Sequence, residues 1–233
     1  MDNKYQYILF DLDGTLTDPK LGITTCVQYA LHKMGIEEPD LDKLEPFIGP
    51  PLMDSFREFY GFDEEQGRQA TVYYRERFSV TGLFENEVYP GMEQLLAALK
   101  TAGKKLAVAS SKPGVFVERI LSHFGLAGYF DVVVGSELDG TRGKKEEVVE
   151  EALRRLLPEE LFREIMEVKD RESGEKYDIV VMVGDRRFDV EGAKAFHIAS
   201  VGVNYGYAAP GELSLAGADV TVETVEALGE TLK

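Results

Sequence analysis

The sequence predicts an α/β fold, a doubly wound, Rossmann-like parallel sheet carrying one helical insertion, and three observations lead to it. Six short apolar runs bounded by turn residues are spread along the chain, helix-period segments separate most of them, and residues 17–86 show helical patterning without a convincing strand. Strands apolar on both faces belong in a sheet covered by helices on each side. Ligands of such sheets gather beyond the carboxyl ends of the strands, so the residues that close each run are the first candidates for chemistry.

The first run, YILF at 7–10, leads into Asp11, Leu12, Asp13 and a sharp turn at Gly14. Carboxylates two apart on an extended chain point the same way. Like charges held this close raise one another's pKa unless a cation lies between them, and Mg²⁺ is the simplest such cation. An isolated Asp-Gly would read as a turn; the same pair behind a fully apolar run asks for more.

Residues 17–86 then carry the helical segments ITTCVQYALHKMG, PLMDSFREFYG and EEQGRQATVYYRERF, with the stiff turn FIGPPL at 47–52 between them. The division expected is a core of residues 1–16 and 87–233 and an inserted helical domain of 17–86. LTDPKLG and LFENEVYPG are the two crossings, which suggests a hinge. The single cysteine, Cys26, has apolar neighbours at helical spacing and reads as a small core residue.

KLAVAS at 105–110 runs on into SKPG, and a helix starting there would let the Ser110 hydroxyl and the Ser111 N–H hold an anion. DVVVG at 131–135 follows, and then GKK at 143–145 opens the helical run KEEVVEEAL. Residues 158–178, PEELFREIMEVKDRESGEKYD, make a longer connection than usual, read as a surface helix and turn with RESGEKYD at its tip. IVVMVG at 179–184 ends at Asp185, and a helix from about Phe188 carries Asp189 one turn on. Either aspartate could serve as a helix cap, but that does not explain why a second strand also ends in carboxylates. IASVGV at 198–203 and DVTV at 219–222 complete the strands.

Hydrophobic residues make up 44% of the 233, enough for a sizeable core. The net charge of −16 argues against nucleic acid or an anionic membrane as partner. No apolar run approaches bilayer length, and MDNKYQYILF enters a strand without a basic region or cleavage site, so the chain reads as cytoplasmic. Monomer and homodimer are equally compatible with it. An anionic substrate would need local cations, and Lys112, Arg142, Lys144, Lys145, Arg186 and Arg187 lie in or beside the segments above.

DLDGT resembles the first motif of the haloacid dehalogenase superfamily of phosphohydrolases. VASS at 108–111 is similar to the second motif, GKK at 143–145 holds a candidate for the third, and VGDRRFD at 183–189 is similar to the fourth. The resemblance implies a small helical cap after the first strand, a Mg²⁺ cofactor and a small phosphorylated metabolite as substrate. It implies Asp11 as nucleophile, Asp13 as acid and base, and Ser110 and Lys145 as catalytic partners. Lys145 fits the spacing better than Lys144. Gly14, Ser111 and Lys112 would face the phosphate; Asp11, Asp13 through its carbonyl, Asp185 and Asp189 would surround the metal. Gly49 and Arg57 are the substrate-side candidates of the insertion.

The activity implied is hydrolysis of small phosphomonoesters of the phosphoglycolate or nucleoside 5′-monophosphate type, through an aspartyl phosphate. A phosphosugar mutase of β-phosphoglucomutase type uses the same core. A non-enzymatic phosphoacceptor module also combines such residues, but holds its acceptor on an internal strand. Dehalogenation has no use for an acid at Asp13.

Overall fold

The computed structural model describes residues 4–169 and 176–233. The chain divides into two compact units, one of Met1–Leu16 with Val88–Lys233 and the other of Thr17–Glu87.

The first unit is built on a six-stranded sheet of β1 (Tyr7–Phe10), β4 (Lys105–Pro113), β5 (Val132–Ser136), β6 (Tyr177–Gly184), β7 (Ile198–Val203) and β8 (Val220–Val222), in the order β5-β4-β1-β6-β7-β8. All the pairs are parallel. Phe10 lies opposite Val108 on one side and Val183 on the other, so the chain ends of β1 and β6 stop at one level. The helices of this unit are α4 (Met92–Thr101), α5 (Gly114–His123), α6 (Lys145–Leu156), α7 (Glu159–Val168), α8 (Arg187–Ala195), α9 (Glu212–Ala216) and α10 (Val225–Leu232). Leu9, Ala107, Val134, Val180 and Met182 pack from the sheet against Val148, Val149, Ala152 and Leu153 of α6 and Ala193 of α8. Leaving water gives this apolar surface about 25 cal/mol per Å² of driving force.

The charged connection after α6 is more than a surface excursion. α7 sends Ile165, fully buried, into the same core, with Leu161, Phe162 and Met166 beside it. The spacing of these residues makes a one-sided apolar stripe that the surrounding charges conceal in the sequence. Most of the RESGEKYD tip lies outside the described residues, and β6 already begins at Tyr177 rather than near Ile179.

β4 also differs from expectation. It continues through Ser110 and Ser111 to Pro113, with its pairing to β5 shifted between Ala109 and Pro113, and α5 begins only at Gly114. Ser111 therefore stands on extended backbone, not at a helix N-terminus.

The second unit contains α1 (Lys20–Lys33), α2 (Leu52–Tyr60) and α3 (Glu64–Phe78), with a 3₁₀ segment over Leu41–Phe47. Asp63 and Gln66 close a reciprocal cap at the start of α3, at 2.9 and 3.0 Å. Phe47, Phe56 and Phe62 form an aromatic centre. Arg77 grips Glu85 with two bonds of 2.6 and 2.8 Å and also donates to the Cys26 sulfur, which is buried as expected. The helical reading of 17–86 overlooked β2 (Thr17–Asp18), which pairs with β3 (Glu87–Val88) in a two-stranded ribbon. Two residues are too short to show a strand period.

Candidate active site

β1 ends at Phe10 and β6 at Gly184, and the next residue of each chain is an aspartate. The Asp11 N–H donates to the Val183 carbonyl at 2.9 Å, continuing the ladder one step into the site. Asp11, Asp185 and Asp189 are all buried, and each offers a carboxylate oxygen within 4.8 Å of the other two.

The Lys145 ammonium enters this cluster from the first residue of α6. It lies 3.0 Å from Asp11 Oδ1 and 2.7 Å from Asp189 Oδ1, and it donates to the Ala109 carbonyl at 3.1 Å. Gly192 of α8 admits its stem, since a Cβ there would stand 3.0 Å from the Lys145 Cγ. Burial pushes the Lys145 pKa down, but the charges of Asp11 and Asp189 outweigh it and hold the ammonium above the usual lysine range. Lys144 is the exposed N-cap of the same helix.

Asp13 does not join the other three carboxylates. Its side chain, also buried, takes the Lys112 ammonium at 2.8 Å on both oxygens. The structure gathers the carboxylates of Asp11, Asp185 and Asp189 and gives that of Asp13 its own cation. Burial raises the Asp13 pKa, with Lys112 opposing. Ser110 is buried within β4, its hydroxyl 3.3 Å from the Lys112 N–H, and the Ser111 carbonyl accepts from Ser136 Oγ at 2.7 Å.

Asp189 is both a cluster member and a cap, its Oδ2 accepting the Arg186 N–H at 3.0 Å. Burial lifts its pKa to about 6 despite Lys145. Asp185 is fully buried, and burial, followed by the charges of Asp189 and Asp11, raises its pKa well above the carboxylate range.

The seats of these two carboxylates are glycines. A Cβ on Gly184 would fall 2.0 Å from Asp189 Cγ. One on Gly14, which holds φ +76°, would fall 2.0 Å from Asp185 Oδ2. Sequence reasoning found Gly14 but missed Gly184 and the loop after β7. In that loop the Tyr207 N–H donates to Asp185 Oδ2 at 2.8 Å. The run Asn204-Tyr-Gly-Tyr directly after an apolar strand was the available signal.

Of the other cations singled out, Arg142 pairs with Glu137 and donates to the Gly135 carbonyl, and Arg186 pairs with Glu212. Arg187 is exposed. In the helical unit Arg57 is exposed on α2, and Gly49 holds φ +105° between Phe47 and α2.

The donor set fits Mg²⁺, which takes oxygen ligands. Three buried carboxyl groups gathered against the single ammonium of Lys145 make a place that a divalent cation would balance.

A family model described as haloacid dehalogenase-like hydrolase matches residues 8–203. The 5′-nucleotidase of Pseudomonas aeruginosa is 49% identical over 90% of this chain and 87% of its own. The tyrosine-protein kinase PtkA of Mycobacterium tuberculosis is 40% identical over 87% of this chain but 63% of its own length. The phosphoglycolate phosphatase of Aquifex aeolicus is 31% identical over 86% and 85%. A crystal structure described as a predicted phosphatase from Clostridium acetobutylicum superposes with a TM-score of 0.86 at 46% identity, covering 98% of both chains. The chain belongs to the haloacid dehalogenase-like hydrolase family and within it is a phosphoric monoester hydrolase.

Proposed function

We propose that this protein is a Mg²⁺-dependent phosphatase of nucleoside 5′-monophosphates that works through an aspartyl phosphate. The buried arrangement of Asp11 and Lys145 beside Asp185 and Asp189, with Asp13 next to them on Lys112, carries the reading. The greater identity to the 5′-nucleotidase than to the phosphoglycolate phosphatase, 49% against 31%, favours the nucleotide.

Asp11, Asp185 and Asp189 would hold the cation, with Asp13 contributing its carbonyl; bound there, it supplies the charge that lets a phosphate dianion approach. The Asp11 carboxylate attacks phosphorus, and the bond to the ester oxygen breaks as Asp13 gives that oxygen its proton. Water then attacks the phosphorus of the acyl phosphate, Asp13 takes the water's proton, and inorganic phosphate leaves with Asp11 restored. Lys145 holds Asp11 aligned and adds positive charge where negative charge gathers in the transition state. The Ser110 hydroxyl and the Ser111 N–H hold phosphate oxygens.

Nucleoside 5′-monophosphates, phosphoglycolate and glucose 1-phosphate incubated with the protein, in Mg²⁺ and in EDTA, test this reading. Phosphate release from the nucleotides in Mg²⁺ alone is expected. Turnover in EDTA, or sugar phosphate interconversion without net phosphate release, would overturn it.

A further inference from the structure

We infer that the loop Asn204–Tyr207 is a positioning element for the metal-binding carboxylate Asp185, and that the Tyr205 hydroxyl is its latch. The inference rests on the reading of Asp185 as a Mg²⁺ ligand and adds residues that none of the four motifs contains.

Asp185 is wedged between two bare α-carbons. A Cβ on Gly206 would come within 2.4 Å of Asp185 Cβ and 2.3 Å of the Gly14 carbonyl oxygen, while Gly14 presses on the same carboxylate from the other motif. The loop and the Asp13-Gly14-Thr15 turn thus form two jaws around one side chain. The jaws also bind it. Tyr207 donates its N–H to Oδ2 at 2.8 Å, and the Thr15 hydroxyl is 3.5 Å from Oδ1.

The latch joins the jaws to each other. Tyr205 donates its hydroxyl to the Thr15 carbonyl at 3.1 Å, and its ring meets Tyr89 edge-on with centroids 4.9 Å apart. Tyr89 is itself tied to the Leu16 carbonyl by its N–H at 3.2 Å.

The two ends of the loop are anchored independently of the latch. The Asn204 N–H donates to Val222 at 2.8 Å. Glu212 accepts from the Arg187 N–H at 2.9 Å and the Ala209 N–H at 3.0 Å, fixing the loop's far side to the start of α8. Loss of the Tyr205 hydroxyl therefore frees one jaw without freeing the loop.

A carboxylate held in its ligating pose binds a cation without first being ordered, so loosening a jaw lowers metal affinity more than turnover at saturation. The test is calorimetric titration of Mg²⁺ into the wild type, Tyr205→Phe, Gly206→Ala and Asp185→Asn, with melting curves and kcat at saturating Mg²⁺. Tyr205→Phe should raise the Mg²⁺ Kd about 2–10-fold, the range of one lost hydrogen bond, with kcat nearly unchanged. Gly206→Ala should raise it more. A lower Tm for Tyr205→Phe with an unchanged Kd, while Asp185→Asn loses binding, would overturn the inference and leave the proposed function standing. A wild type that takes up no Mg²⁺ would overturn both.

Discussion

Asp185→Asn tests the idea that the site is built against stability. The substitution keeps the shape and the acceptor for the Tyr207 N–H but removes one of three buried charges. Two like charges within 4.8 Å of one another repel by about 3.5 kcal/mol or more at an effective dielectric of about 20. Asp185 faces two such neighbours, and Lys145, paired with them and not with Asp185, relieves part of that repulsion. The metal-free variant should therefore be more stable than the wild type by about 2–4 kcal/mol. For a chain of this size that is a Tm gain of about 4–16 °C.

Mg²⁺ should then narrow or reverse the order. The wild type gains about 2.7 kcal/mol at 100 times its Kd and the variant far less. The pH dependence follows the same cause. A carboxylate whose pKa is raised in the folded state contributes most below its unfolded value, and the contribution is lost as pH rises through the folded one. For Asp189 this window runs from about 3.8 to about 6, and the Asp185 pKa, raised well above the usual carboxylate range by burial, acts with the same sign. The stability gap between variant and wild type in EDTA should widen from about pH 4 upward and flatten above the folded values. Scanning calorimetry between pH 4 and 8, with EDTA or Mg²⁺, reads both effects. A variant that melts lower than the wild type in EDTA, with its Mg²⁺ gain intact, would refute the reasoning.

Lys145→Ala should abolish most of kcat and, by leaving Asp11 and Asp189 buried without their cation, destabilise the metal-free protein by about 3–5 kcal/mol. Lys144→Ala, at an exposed cap, should stay within about 0.5 kcal/mol and keep its activity, as parallel kinetics and melting curves would show. Asp13→Asn should slow turnover by about 10²–10⁴ on alkyl phosphates and less on p-nitrophenyl phosphate, whose leaving group needs no acid. Equal losses on both would limit Asp13 to metal binding. Gly184→Ala places a Cβ 2.0 Å from Asp189 Cγ, so it should weaken Mg²⁺ binding and lower the Tm together in titration calorimetry and melting.

The strands were legible because each carries its own signal: a short apolar run closed by turn residues, enough to put Asp11 and Asp185 at strand ends. What stayed hidden lies between distant segments. The Lys112–Asp13 pair spans 99 positions, and the Tyr205–Thr15 bond spans 190. No local period encodes either. The run from Ser110 to Pro113 was misread for another reason: a Lys-Pro-Gly sequence announces a helix start, while pairing with β5 holds the same residues extended as far as Pro113. In α7 the apolar stripe was present in the sequence but interleaved with glutamates and an arginine.

The strand order bears on how the chain comes off the ribosome. β1 is made before the other strands of its sheet, yet its partners are residues 105–108 and 180–183, so one of its edges stays open until β4 is made and the other until β6 is made. The helical unit that follows is one continuous segment, Thr17–Glu87, whose contacts are comparatively local and close early. Nascent chains released before β6 would present an unpaired central strand to one another, the geometry that invites edge-to-edge aggregation. Truncations ending before Tyr177 should accordingly be recovered as aggregates or bound to chaperones, even though they contain the complete helical unit.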